Sequence, residues 1–219
     1  MTHSAFALAH VVDLPAGAAW GGMVILHGAG SRKENHADMA ATATAAGLAA
    51  VRYDMRGHGE TGGMLDGRAL DDVAAAAALV PDGLPVALRG SSMGGYLALV
   101  AAERAGAHAV VAICPAPAPL LARGLRTGRL DVAADTAALE ALLAAHPLDA
   151  AVERLELPVL IQHAEGDEDV TVAGSREVAA RLRHPASRLR VMPGGDHRSV
   201  QHDPRAQAAA LAWLRDVMG

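Results

Sequence analysis

Val86-Ala87-Leu88-Arg89-Gly90-Ser91-Ser92-Met93-Gly94-Gly95-Tyr96, continued by Leu97-Ala98-Leu99-Val100-Ala101-Ala102, is the stretch on which the fold turns. The short apolar run after Pro85 reads as a buried strand, the glycine-bracketed serines as a sharp turn, and the alanine- and leucine-rich run as a helix. Gly90-Ser91-Ser92-Met93-Gly94 fits the G-x-S-x-G spacing, in which a tight turn lifts the central hydroxyl above the sheet edge. Ser92, and not Ser91, has glycines on both sides at that spacing, where a Cβ would crowd the neighbouring strand or helix. A helix opening at Met93 aims its free N–H groups and the positive end of its dipole at the serine, where an oxyanion would form. A Gly/Ser loop with no chemistry is the competing reading of the pentapeptide taken alone.

The rest of the chain reads as strands alternating with helices. Residues 5 to 13 suit an edge strand, and Met23-Val24-Ile25-Leu26-His27 is a fully apolar run, as in a strand covered on both faces. It runs into His27-Gly28-Ala29-Gly30, a glycine-rich loop at the carboxyl edge of a parallel sheet, where backbone N–H groups stand uncovered. Ala29 N–H is the candidate for half of an anion hole, against the plainer reading of a strand-to-helix turn. Residues 35 to 46 read as a helix capped by Asn35 and stopped by Gly47. Ala49 to Tyr53, Ala109 to Ile113, Pro158 to His163 and Arg188 to Met192 read as further strands. Leu70 to Val80 and Pro204 to Val217 read as helices, the last with Ala208, Leu211, Leu214 and Met218 on one face.

Two exit loops carry the remaining candidates. Ala164-Glu165-Gly166-Asp167-Glu168-Asp169-Val170 follows a late strand, and Asp167, with Asp169 behind it, is the carboxylate placed to orient a histidine. Pro193-Gly194-Gly195-Asp196-His197-Arg198 follows the final strand and supplies the base, His197, ahead of its rival His202. His58, between glycines in a turn, reads as structural. Cys114, the only cysteine, excludes an intrachain disulfide and reads as a small buried hydrophobe.

The segment from Pro115 to about Ala150 is longer than a crossover needs and reads as a small lid over the carboxyl edge. Leu120, Leu121, Leu125, Leu139, Leu142 and Leu143 either line an apolar pocket there or pack down on the sheet. Arg123, Arg126 and Arg129 recur every third residue, as on a solvated helix face, with contact to a substrate anion as the alternative.

The 219 residues suit one domain, 1–219, with the lid at about 115–150. A net charge of −5 argues against nucleic acid or an anionic membrane as partner. No apolar run reaches the roughly 18 residues that a membrane span requires, and Met1 to Phe6 do not form a basic leader, so the expected location is cytoplasmic. A homodimer is compatible with the sequence and not required by it. Alternating strands and helices imply an α/β fold, a mostly parallel doubly wound sheet with helices on both faces. The order Ser92, Asp167, His197 places nucleophile, acid and base on loops at one sheet edge.

On these residues the whole chain resembles the α/β-hydrolase superfamily, in particular its small, short-lidded serine esterases and thioesterases of the dienelactone-hydrolase-like and acyl-protein-thioesterase-like kinds. The matching segments are His27 to Gly30, Tyr53-Asp54-Met55-Arg56-Gly57-His58-Gly59, Gly90 to Gly95, His163 to Asp167 with Val170, and Gly195-Asp196-His197. His163-Ala164 stands where the family often has His-Gly, and Ser92 stands where dienelactone hydrolases carry cysteine. The resemblance implies hydrolysis of a small-molecule ester or thioester through an acyl-enzyme on Ser92, Asp167 and His197. Ala29 and Met93 would form the oxyanion hole, and neither metal nor organic cofactor is implied. With one Phe, two Trp and two Tyr, the pocket is expected to be aliphatic and to favour short to medium acyl chains. Amide, peptide or carbon–carbon cleavage on the same residues, and a non-catalytic ligand-binding role on the same fold, are the alternatives.

Overall fold

The computed structural model describes residues 8–219. The start of the expected edge strand and the reading of residues 1–6 as lacking a leader lie outside the described residues. The strands are β1 (His10–Asp13), β2 (Gly21–Leu26), β3 (Leu48–Tyr53), β4 (Val86–Ser91), β5 (Ala109–Ile113), β6 (Val159–Ala164) and β7 (Arg188–Met192). Among the described residues they form one sheet in the order β1-β3-β2-β4-β5-β6-β7, in which β1 is antiparallel to β3 and every other pair is parallel. This is the doubly wound architecture that the alternation of elements implies.

The helices are α1 (Ala37–Ala45), α2 (Ala69–Ala77), α3 (Met93–Val100), α4 (Ala118–Arg126), α5 (Thr136–Ala145), α6 (Leu148–Arg154), α7 (Val172–Arg181), α8 (Ser199–His202) and α9 (Pro204–Met218). Strand side chains alternate between two cores because successive Cβ atoms point to opposite faces. Val24, Leu26, Val51, Leu88 and Val110 meet α2, α3 and α6 on one face. Met23, Ile25, Ala50, Ala87 and Val111 meet α1 and α9 on the other. Both faces being covered explains why β2 and β5 are apolar throughout.

Three local expectations need correction. Asn35 does not cap α1: it lies inside a 3-10 turn, Lys33–His36, and its Nδ2 donates to Ser31 Oγ at 3.1 Å. The helix before the nucleophile strand is shorter than expected, Ala69–Ala77, because Leu79 and Val80 leave it through turn hydrogen bonds to Ala76 and Ala77. On α9, Ala208 is exposed, and the buried stripe is Ala206, Gln207, Ala210, Leu211 and Leu214. An alanine-rich helix does not reveal its inner face, since alanine suits both surfaces.

Strand order reverses between β2 and β4, whose exit loops diverge to open a crevice at the carboxyl edge, the usual ligand position in open α/β sheets. Helices α4, α5 and α6 lie between β5 and β6 in the chain. The segment between α4 and α5 is stitched to the loop after β3: Leu65 N–H donates to Ala133 O at 2.8 Å, and Asp135 N–H to Leu65 O at 2.9 Å.

Candidate active site

The strand β4 ends at Ser91 and α3 begins at Met93, so Ser92 is the whole turn, at φ 55° and ψ −117°. A side chain in this left-handed region is strained, and such residues persist only where their surroundings force them. Here the forcing is visible. A Cβ on Gly90 would lie 2.0 Å from Gly94 O, and one on Gly94 would lie 2.4 Å from both Leu26 O and His27 O. The two glycines let α3 pack against its own strand and against the end of β2. Ser92 N–H donates to Ile113 O at 2.9 Å, pinning the apex to β5.

The loop after β2 approaches the elbow as closely. A Cβ on Gly28 would stand 3.3 Å from Ser91 O and 3.4 Å from Ser92 Cβ, so Ala29 is carried past the serine. His27 fixes this loop. Burial, its largest influence, pushes its pKa down to about 4, so the ring is neutral at pH 7. Its Nδ1–H then donates to Gly28 O at 2.8 Å, and its Nε2 accepts from Met55 N–H at 3.0 Å. His58 packs edge-on to His27 at 4.8 Å, and its Nδ1 lies 3.0 Å from Arg56 O. That is a loop-holding position.

Of the four acids in the loop after β6, Asp167 is the buried one. Its Oδ2 lies 2.7 Å from His197 Nδ1 and 3.3 Å from His163 Nε2. Its Oδ1 accepts the N–H groups of Asp169 (3.0 Å) and Val170 (2.8 Å). Burial, the largest influence, opposes ionisation, yet the hydrogen bonds from His163, His197 and Val170 outweigh it and hold the carboxyl well below its ordinary pKa. An ionised carboxylate only accepts, so His197 Nδ1 carries the proton and Nε2 is left as the basic nitrogen. Asp169 supplies a backbone N–H to Asp167, and its own carboxylate is exposed.

His202 is engaged elsewhere: its Nδ1 lies 2.9 Å from Asp38 Oδ2, and its ring stacks on His36 at 6.0 Å. Cys114 is buried, as read from the sequence, and burial raises its thiol to about 12. Nothing local in the chain signals that it sits beside Asp167 and His197, the side-chain S, O and N atoms of all three lying within 4.8 Å of one another. The Asp167–His197 hydrogen bond already uses the facing lone pair and proton.

Three groups of positioning contacts escaped sequence reasoning. Ser91 Oγ donates to Gln201 Oε1 at 2.6 Å, and the buried Arg89 donates to Gln201 O at 2.7 Å. Together they tie β4 to the short helix that follows His197. His163 holds the acid loop, its Nε2 donating to Val170 O at 2.8 Å while Nδ1 meets Ser175 Oγ at 2.7 Å. Lys33 and Asp54, both buried, pair at 2.9 Å behind the oxyanion loop, with Glu60 on the same ammonium. The Tyr53-Asp54-Met55-Arg56-Gly57-His58-Gly59 run signalled that loop, but nothing in its spacing pointed to Lys33.

A cavity of about 630 Å³ opens at this edge, lined by Gly28, Ala29, Ser92, Leu120, Leu121, Leu130 and His197 among others. Of the leucines weighed as pocket or core, Leu120 and Leu121 reach the cavity. Leu139, Leu142 and Leu143 are buried in the core, and Leu125 packs on it. The three arginines do not share a helix face. Arg126 ends α4 and pairs with Glu140 at 2.9 Å, whereas Arg123 and Arg129 line the cavity.

The family model described as serine aminopeptidase, S33, matches residues 18–127, half of the chain. No curated protein matches the sequence. Among solved structures, Est1E from Butyrivibrio proteoclasticus with ferulic acid bound is 22% identical, covers 96% of this chain and 95% of its own, and superposes with a TM-score of 0.77. A monoacylglycerol lipase from Paleococcus ferrophilus is 18% identical, with 95% and 98% covered and a TM-score of 0.78. The esterase domain of a Rhodothermus marinus protein is 22% identical, with 97% and 94% covered and a TM-score of 0.75. At these identities the likeness establishes the fold, and the family match adds the class: the chain belongs to the S33 family of α/β-hydrolases and is a hydrolase.

Proposed function

We propose that the protein hydrolyses carboxylic esters or thioesters of small to medium acyl groups through an acyl-enzyme on Ser92, with His197 as base and Asp167 as its orienting acid. The observation that carries this reading is that the strained Ser92 apex and the Asp167-held His197 line one cavity. The likeness to proteins named as esterases and a lipase supports ester over other substrates.

His197 Nε2 takes the Ser92 hydroxyl proton as Oγ attacks the acyl carbon. The N–H groups of Met93 and Ala29 receive the resulting oxyanion, each donor being worth roughly 3 to 4 kcal/mol in such sites. The tetrahedral intermediate collapses, and the leaving alcohol or thiol departs with the proton from His197. Water then repeats the sequence on the acyl-enzyme, releasing the acid and restoring the serine. Asp167 stays ionised throughout and stabilises the imidazolium. None of these steps needs a metal or an organic cofactor. The segment at about 115–150 acts as the lid of a single 1–219 domain, its Leu120, Leu121 and Leu130 forming the aliphatic acyl wall.

A series of 4-nitrophenyl esters of rising chain length tests the reading. Turnover of acetate to butyrate should exceed that of long-chain and bulky aryl esters, and Ser92→Ala should abolish both turnover and labelling by a fluorophosphonate. Unchanged labelling in that variant, or no turnover of any ester by the wild type, would reject it. Since the matching family model is described as an aminopeptidase, amino-acid 4-nitroanilides belong in the same panel, and faster cleavage of these would transfer the mechanism to amides.

A further inference from the structure

We propose that the cavity is built for an ester or thioester that carries a second, anionic group, held by Arg123 and Arg129 of the α4 region and Arg198 of the base loop. The inference names the substrate class of the site described above and rests on that hydrolase reading.

Three observations carry it. Leu120, Arg123, Gly124 and Thr127 all line the cavity, and their spacing is that of one helix stripe, so the exposed Arg123 stands on the cavity face of α4. Arg126, one helical position off that stripe, is directed to Glu140 instead. Secondly, the protein is acidic, at −5, yet three arginines, all exposed, line this one cavity. Among the described residues, none of the three forms an ion pair or donates a side-chain hydrogen bond within the chain, whereas Arg126, at the end of the same helix as Arg123, is paired with Glu140. Thirdly, the lining holds only two carboxylates against the three arginines. Asp131 lies against Gly30 and also borders the neighbouring groove beside Arg32 and His58. Asp169 belongs to the acid loop and is exposed.

A guanidinium presents a planar fork of donors matched to carboxylate or phosphate oxygens. Cationic groups at the rim of a low-dielectric cleft also raise the local concentration of an anionic substrate. Leu120, Leu121 and Leu130 line the same cavity as these cations, so the fitting substrate carries an apolar portion together with its charge.

Two matched pairs test the proposal. On the acyl side, 4-nitrophenyl hydrogen glutarate is compared with 4-nitrophenyl butyrate; on the alcohol side, 4-(butanoyloxy)benzoate is compared with its methyl ester. In at least one pair, kcat/KM for the anionic member should exceed that of the neutral one. The double variant Arg123→Gln/Arg129→Gln should cut that advantage about three- to tenfold, chiefly through KM for the anionic member. Arg126→Gln should leave it intact, and high ionic strength should erode it in the wild type. Neutral esters preferred or matched in both pairs, or an advantage that survives the double variant, would overturn the proposal. Calorimetric titration of Ser92→Ala with the same pairs separates the two readings. Arginine-dependent binding of the anionic member by a wild type that cleaves nothing would uphold the anion site and sink the hydrolase reading. Equal weak binding of both members would sink the anion site.

Discussion

His197 Nδ1 stands 2.7 Å from Asp167 Oδ2, with the acid buried and the imidazole partly open to the cavity. Removing the charge while keeping the shape should therefore separate orientation from packing. Asp167→Asn is expected to lower kcat by about 10⁴ by favouring the wrong imidazole tautomer. The same variant reports on acid stability. Because the folded pKa of Asp167 is depressed, its ionised form stabilises the fold above the unfolded value of about 3.9 and loses that effect as pH falls further. Urea midpoints of wild type and Asp167→Asn should thus converge as pH drops below about 4.

His27 titrates in the opposite sense from a histidine that gains a partner. It is buried neutral, with its pKa pushed down from 6.5 to about 4. The unfolded chain takes up a proton at His27 that the folded chain refuses, so stability should fall as pH drops from about 6.5 to 4. The loss attributable to this group is at most about 3 kcal/mol. His27→Gln is expected to be less stable at pH 7 and to show a shallower decline in Tm over that window.

The elbow should reject a single methyl group. Gly90→Ala and Gly94→Ala put a Cβ 2.0 and 2.4 Å from backbone oxygens, and neither backbone can yield without moving α3. Each variant should lose about 3 kcal/mol or more, or fail to accumulate as folded protein. Gly174→Ala, in α7 with nothing within 4 Å of its added methyl, should instead stabilise by about 0.5 to 1 kcal/mol. Chemical denaturation of the three variants checks the contrast.

Lys33→Met should strand the buried carboxylate of Asp54, whose second oxygen, Oδ1, is already bonded to Lys33 N–H at 2.7 Å. Loss of the partner of a buried charge costs about 3 to 5 kcal/mol. Asp54→Asn added to Lys33→Met should recover part of it, because the amide no longer needs a cation. A double-mutant cycle by urea unfolding measures the coupling.

The strands were legible because their composition is a direct consequence of burial on both faces: Met23 to Leu26 and Val110 to Ile113 admit no polar residue. Helix limits were less so, as Asn35 and Ala208 show. Asparagine is equally at home in a turn, and in alanine-rich helices hydrophobicity does not distinguish inside from outside. Cys114 was rightly read as buried, but its neighbours were not readable.

The amino-acid order alone determined the α/β fold, the turn at Ser92 and the identity of the loops at the sheet edge, because glycine spacing and apolar runs are local properties of the chain. Only the tertiary structure decided which side chains meet there. That Asp167 faces His197, that Gln201 is gripped from β4 by Arg89 and Ser91, that Lys33 neutralises Asp54, and that Arg126 turns to Glu140 are long-range pairings. Their free energy depends on distance and burial, and both are set by how the strands are ordered in the sheet, which no short window of sequence encodes.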